Sequence, residues 1–144
     1  MKILVIDGQG GNIGKALVKM LSESLPASEI TAVGTNSIAT SNMIKAGATS
    51  AATGENAVIV GSRKADVIVG PVGIVIADAL LGEVTPKMAQ AIGSSSATRI
   101  LVPMNKCDTL VAGVKTASMS ELISDAVEAI KMLDSAEEIR RKTL

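Results

Sequence analysis

Short runs of β-branched residues alternate with helical patterns along this 144-residue chain. Residues 2–7 (KILVID), 66–69 (DVIV) and 99–102 (RILV) are almost continuously apolar, and a glycine or proline follows each run. Strands without a polar face are typical of parallel sheets that helices cover on both sides. The sequence therefore predicts an α/β domain of three layers, with five or six mostly parallel strands and helices on both faces.

Helical spacing and capping residues assign most of the remaining chain. Thr85 followed by Pro86 predicts a helix start, and Ser118 with Glu121 predicts a capping box before the best amphipathic pattern. Further helices are predicted at residues 12–25, 37–46 and 118–133, and weaker strands at residues 29–33 and 48–52. We interpret residues 1–144 as one domain with a charged helical tail at about 134–144.

Three segments are assigned on weaker patterns. Thr53 with Asn56 predicts the cap of a helix that runs to Lys64, although its apolar centre favours a strand. Residues 74–81 are apolar nearly all round and predict a buried helix that Gly82 ends. Residues 110–114 predict an edge strand, which would be the sixth of the sheet.

The composition excludes several classes of function. The chain has no His, Phe, Trp or Tyr, so imidazole catalysis, imidazole metal sites and aromatic stacking on bases are excluded. Fourteen basic residues balance fourteen acidic ones, which gives no electrostatic reason to expect a nucleic-acid partner. We expect no bound metal, and a binding site is better indicated than a reaction.

The cellular setting follows from the cysteine content and the apolar runs. A single cysteine, Cys107, cannot form an internal disulfide, and a reducing compartment is its default setting. No run reaches the roughly 20 apolar residues of a membrane span, and residues 67–81 are interrupted by glycine, proline and aspartate. The sequence predicts a cytoplasmic protein without a membrane partner.

The strongest local motif is a glycine-rich segment between the first strand and the first helix. Four of its seven residues are glycine, and glycine lets backbone N–H groups approach an anion at the positive end of a helix. Its predicted ligand-binding residues are Gly8, Gln9, Gly10, Gly11, Asn12, Ile13 and Gly14. The competing interpretation is a turn that serves only tight strand–helix packing. A Walker A loop is disfavoured because Gln9 and Ala16 replace the first glycine and the hydroxyl residue.

The end of the second strand bears on the identity of a dinucleotide. NAD sites place a carboxylate there to accept a hydrogen bond from the ribose 2′-hydroxyl. No acidic residue occurs between Ile30 and Gly54, and the strand is followed by Thr35, Asn36 and Ser37. This absence favours NADP slightly over NAD, although the arginine typical of NADP sites is also missing. The three polar residues are equally well explained as a turn and a helix cap.

Other polar and glycine residues follow the later strands. Because the carboxyl ends of parallel strands meet at one edge, we expect one crevice, flanked by the loops after the first and fourth strands. The further predicted ligand-binding residues there are Gly70, Pro71, Asn105 and Lys106.

Candidates for chemistry are few. Cys107 beside Lys106 is a possible nucleophile without a His base, and a lone cysteine is more often inert. Asp78 and Glu83 are candidate proton carriers, whereas Asp7 is more simply a brace for the glycine turn through backbone N–H groups.

Six segments together resemble a known family. They are IDGQGGNIGKAL from Ile6, GTNSIATSNMIKAGA from Gly34, ATGENAVIV from Ala52, ADVIVGPVGI from Ala65, GEVTPKMAQAIG from Gly82 and PMNKC from Pro103. From the N-terminus to about Leu133, the chain resembles a small bacterial family of unknown function with a Rossmann-like fold. The resemblance implies that fold and a nucleotide pocket, and it carries no catalytic residue to this chain.

These observations predict a three-layer Rossmann-like domain that binds a nucleotide or dinucleotide. The competing hypothesis is a non-enzymatic regulatory or accessory subunit that binds a small anion or no cofactor. Seven methionines and many aliphatic residues are compatible with a homo-oligomer in either case. A small-molecule transferase acting through Lys106 and Cys107 is a third hypothesis.

Overall fold

The computed structural model describes residues 1–104, 109–115 and 117–144. They form one sheet of five parallel strands in the order β3-β2-β1-β4-β5. The strands are β1 (Lys2–Asp7), β2 (Glu29–Gly34), β3 (Ser50–Thr53), β4 (Val67–Pro71) and β5 (Thr98–Val102). The helices are α1 (Asn12–Ser24), α2 (Ser37–Lys45), α3 (Glu55–Lys64), α4 (Pro86–Gly93) and α5 (Met119–Thr143).

Two cores lie on opposite faces of the sheet, and β1 contributes to both. Ile3 and Val5 pack with side chains of α1, α2 and α5, whereas Leu4 and Ile6 pack with side chains of α3 and α4. Successive residues of a strand point to opposite faces, so a strand between two helical layers has no polar side. The three-layer Rossmann-like α/β fold is therefore confirmed, with five strands.

The predicted helix at residues 74–81 is wrong. A short 3-10 helix covers Val72–Val75, and the chain then turns through Asp78, Leu80 and Leu81 with φ angles of 65, 56 and 58°. The Asp78 N–H donates to the carbonyl of Val84 at 2.7 Å, which folds the segment back on itself. Ile74, Ala79 and Leu80 reach the core from successive turns, whereas Leu81 is exposed, so the apolar run does not mark a helix that is buried all round.

The predicted strand at residues 110–114 is also wrong. These residues pair with no strand in the described part of the chain, and they contain a turn at Gly113, where φ is 84°. Leu110 is 88% exposed, although an edge strand of this sheet would bury one of its faces. The sheet therefore ends at β5.

The capping predictions have mixed outcomes. Thr85 and Ser118 each accept a hydrogen bond from the N–H three residues on, as expected. The cap of α3 is instead Gly54, whose φ is 100°, while the Thr53 hydroxyl bonds the Thr40 hydroxyl at 2.7 Å. The C-terminal tail is not a separate piece, because α5 continues without a break to Thr143. In the described ranges no helix is both long and apolar enough to cross a bilayer.

Candidate ligand site at the carboxyl edge of the sheet

The glycine turn, residues 8–14, connects the buried end of β1 to α1 and packs against α2. Gly11 is the N-cap of α1 with φ 70°, and a Cβ there would lie 2.7 Å from the Ala39 Cα. The Asn42 amide donates to the Gly10 carbonyl at 2.7 Å. The turn thus needs glycine for its own geometry and is held in one place by α2.

Asp7 supplies a negative charge inside this turn. Its carboxylate is buried and accepts the N–H groups of Gly8 at 2.8 Å and Gly14 at 2.7 Å. Burial raises the pKa of Asp7, and the nearby Glu83 adds to this effect, while the N–H bonds from Gly14, Gly8 and Ile13 oppose it. Its predicted role as a brace is confirmed, and Asp7 therefore uses part of the anion-binding capacity of the α1 N-terminus.

Two backbone donors of the turn remain free of these contacts. The N–H groups of Gly10 and Asn12 have no acceptor among the described residues, and both residues are exposed. Lys15, in the first turn of α1, is exposed as well. A small anion could reach this outer side of the turn without displacing Asp7.

A second carboxylate, Glu83, joins the turn to the end of β2. Its Oε1 accepts hydrogen bonds from the Thr35 hydroxyl at 2.9 Å, the Asn36 amide at 2.5 Å and the Gln9 N–H at 3.1 Å. Within the described ranges, its Oε2 has only the longer contact with the same Gln9 N–H, at 3.2 Å. Partial desolvation raises the pKa of Glu83, but the hydrogen bonds from Asn36, Gln9 and Thr35 outweigh it and lower the pKa overall.

The absence of a side chain at Gly8 makes this convergence possible. A Cβ at Gly8 would lie 2.5 Å from Thr35 Oγ1, 2.8 Å from Leu80 Cδ1 and 3.5 Å from Glu83 Oε1. The loops after β1, β2 and β4 therefore meet above one glycine, at the point where the strand order reverses. Ligands of open α/β sheets bind at such switch points.

The family model named Domain of unknown function (DUF3842) matches residues 2–135. The chain belongs to this family. This DUF3842 chain is also similar to the dodecameric FMN-dependent Ubix-like decarboxylase from Escherichia coli O157:H7, with 20% identity and a TM-score of 0.44, over 93% of this chain and 77% of that one. No curated protein matches the sequence.

The structure of the DUF3842 chain brings only some of the predicted residues together. Thr35 and Asn36 lie against the glycine turn, and Asn36 also caps α2 by accepting the Ala39 N–H at 2.9 Å. Ser37 is exposed in the first turn of α2. Gly70 and Pro71 are buried inside β4, where Gly70 provides close strand packing. Asn105, Lys106 and Cys107 lie outside the described residues, so their predicted roles stay predictions.

A separate groove of about 310 Å³ lies on the α3 side of the sheet. Lys2, Glu29 and Lys64 line it, toward the amino ends of the strands. Its hydroxyls satisfy each other, since Thr31 Oγ1 and Ser50 Oγ lie 3.1 Å apart.

Two contributors to the site in the DUF3842 chain were missed as ligand-site residues. Glu83 was considered only as a proton carrier, because nothing in local spacing connects it with Thr35 or Asn36. Asn42 sits inside a weak helical pattern, and no sequence signal distinguishes it. An acidic residue directly after a helix-breaking glycine, as in Gly82-Glu83, is the one pattern that could have indicated a turned-back loop.

Proposed function

We propose that the chain binds a nucleotide at the carboxyl edge, with its phosphates on the outer side of the glycine turn. The observation that carries the proposal is that the N–H groups of Gly10 and Asn12, two exposed residues, have no acceptor in the described part of the protein. Backbone N–H groups at the start of a helix favour phosphate oxygens. Lys15 lies in the same helical turn and adds a positive charge.

The test measures binding of ATP, NAD, NADP and coenzyme A to the pure protein by titration calorimetry. We expect at least one of them to bind in the micromolar range, typical of cofactor sites. Gly10→Ala should weaken that binding about tenfold, because a methyl group beside the N–H hinders the close approach of a phosphate. The fold should tolerate it, since the one described atom within 4 Å of the new Cβ, apart from its chain neighbours, is Asn12 Nδ2, at an ordinary contact distance of 3.6 Å.

Gly93→Ala is the matched control, because a Cβ there meets no described atom within 4 Å and the residue ends α4. It should bind like the wild type. Equal affinity of Gly10→Ala and the wild type would contradict phosphate contact at the turn. Absence of binding by all four compounds at high micromolar concentration would contradict the proposed function.

The preference for NADP stays a prediction, and Glu83 argues against it. The preference was based on the lack of a carboxylate in the sequence after β2, but Glu83 places one 2.9 Å from Thr35 Oγ1. A 2′-phosphate near this ionised group would be repelled.

A second candidate function is an assembly subunit, and the exposed apolar residues favour it. Leu81 is 96% exposed and Leu110 is 88% exposed, with Val111 and Val114 also exposed in the segment after β5. Exposed apolar side chains that cluster in one segment are typical of contact surfaces. We propose that this segment contributes to a homo-oligomer.

Sedimentation of the pure protein at tens of micromolar tests the assembly. The wild type should sediment as an oligomer, and Leu110→Glu should dissociate it, because burying the new carboxylate in an apolar contact is costly. The exposed Met132→Glu on α5 is a control of the same charge, and it should leave the oligomer intact. A wild type that sediments as a monomer would count against this second function.

A further inference from the structure

Glu83 is positioned as a fixed hydrogen-bond acceptor. Three donors from two different loops hold Oε1, namely the Gln9 N–H, the Thr35 hydroxyl and the Asn36 amide. Thr35 itself is fixed by its N–H, which donates to the Asp7 carbonyl at 3.0 Å. Asn36 is fixed as well, because its amide also donates to the Gln9 carbonyl at 2.9 Å. The carboxylate therefore has one orientation, set by the ends of β1 and β2.

The second oxygen of Glu83 retains acceptor capacity. Among the described residues Oε2 accepts only from the Gln9 N–H, at 3.2 Å, although a carboxylate oxygen can accept two hydrogen bonds. The side chain is partly exposed, and hydrogen bonds keep it ionised, since they lower its pKa. An ionised acceptor that is open on one side suits a ligand that donates hydroxyl groups.

The position of Glu83 relative to the N–H groups of Gly10 and Asn12 indicates how a ligand would be oriented in the site. Gly10 is the next residue after Gln9, whose N–H contacts Glu83, so phosphate donors and hydroxyl acceptor are adjacent along the turn. In dinucleotide sites of this fold class a carboxylate near the end of the second strand accepts the ribose hydroxyl. Here the loop after β4 supplies the carboxylate to that place.

We propose that Glu83 determines specificity by accepting the 2′-hydroxyl of the ribose, so that the site selects an unmodified ribose over a 2′-phosphorylated or 2′-deoxy one. The inference rests on the proposed function, which places the phosphates at Gly10 and Asn12. It adds the class of ligand, a ribonucleotide with a free 2′-hydroxyl. Glu83 is thus a binding residue that lies 48 residues beyond Thr35 and 47 beyond Asn36, the two residues that follow β2.

The test compares two ligand pairs that differ only at the 2′ position, NAD with NADP and ATP with 2′-deoxyATP, by calorimetry. In whichever pair binds more tightly, the wild type should bind the ligand with the free 2′-hydroxyl, NAD or ATP, about tenfold more tightly than its partner ligand. A tenfold difference is expected of one charge-assisted hydrogen bond. Glu83→Gln should lose this preference, mainly through weaker binding of the hydroxyl-bearing ligand. Glu29→Gln is the control, because it makes the same chemical change at the exposed start of β2.

Each outcome separates the inference from the proposed function. A wild type that prefers NADP or 2′-deoxyATP overturns the inference whether or not the variant folds. Tighter binding of phosphate ligands to Glu83→Gln than to the wild type also overturns it, since the carboxylate would then be an obstruction in a working site. Binding of these ligands by Glu83→Gln and not by the wild type would also overturn the inference. If neither protein binds any of the four ligands, the proposed function fails and the inference fails with it.

Discussion

Gly70→Ala should lower the free energy of unfolding by about 3 kcal/mol or more, near the upper end for overpacking in a core. A Cβ at Gly70 would lie 2.2 Å from the carbonyl oxygen of Ile6, which is backbone of the adjacent central strand β1. The same Cβ would also lie 3.1 Å from Ile74 Cδ1, which is a tight contact. The strands must therefore separate at the point where the sheet carries the candidate site.

Chemical denaturation monitored by far-UV circular dichroism measures this loss. Gly93→Ala is again a suitable control and should change the stability by less than about 0.5 kcal/mol. A Gly70→Ala protein as stable as the wild type would contradict the close approach of β4 to β1.

Asp7→Asn should lower the free energy of unfolding by about 2 kcal/mol at neutral pH, which is within the range for leaving a buried polar group unsatisfied. The two carboxylate oxygens accept the N–H groups of Gly8 and Gly14. An amide keeps one acceptor and directs an NH₂ group at the other N–H. The variant should also loosen the glycine turn, which hydrogen exchange of the Gly14 amide would detect as faster exchange.

The pH dependence of this effect has a definite sign. Burial raises the pKa of Asp7 in the folded protein above its ordinary value, so the folded state binds this proton more tightly than the unfolded chain does. The contribution of Asp7 to stability is therefore greatest below the unfolded pKa and declines as the pH rises through the folded pKa. The difference in unfolding free energy between wild type and Asp7→Asn should shrink over that interval.

Asp66→Asn provides the control for this experiment. The Asp66 carboxylate also accepts a backbone N–H, that of Lys2 at 2.7 Å, but the contact is exposed. The substitution should change the stability by less than about 0.5 kcal/mol. A gap between wild type and Asp7→Asn that widens with rising pH would contradict the raised pKa.

The strands could be predicted from the sequence because burial on both faces of the sheet produces a continuous run of apolar residues. A strand such as β1 has no polar face, so its apolar run is unbroken and ends where the glycine turn begins. The segment after β4 could not be predicted in this way. Ile74, Ala79 and Leu80 are buried by a doubled-back turn in which three non-glycine residues have positive φ, and no propensity rule anticipates that.

Part of the candidate site could likewise be predicted from the sequence, and part could not. The glycine turn and the polar residues after β2 could be found, because their chemistry lies in short contiguous motifs. The contribution of Glu83 could not, because it depends on where the misassigned segment turns. No carboxylate is close to Thr35 in the sequence, but the Glu83 carboxylate is hydrogen-bonded to Thr35 in the folded structure.

The central position of β1 has a consequence for how the chain acquires its structure. β1 is synthesised before both of its neighbours, and β2 follows it closely in the chain, but its other neighbour β4 begins only at Val67. Until then one edge of an almost wholly aliphatic strand is open to other chains, since unpaired strand edges invite association. Contacts of such long sequence separation also slow folding. Newly made chains should thus be most prone to aggregation after β1 has left the ribosome and before β4 has followed it, and a chaperone that recognises short aliphatic segments would protect β1 most in that interval.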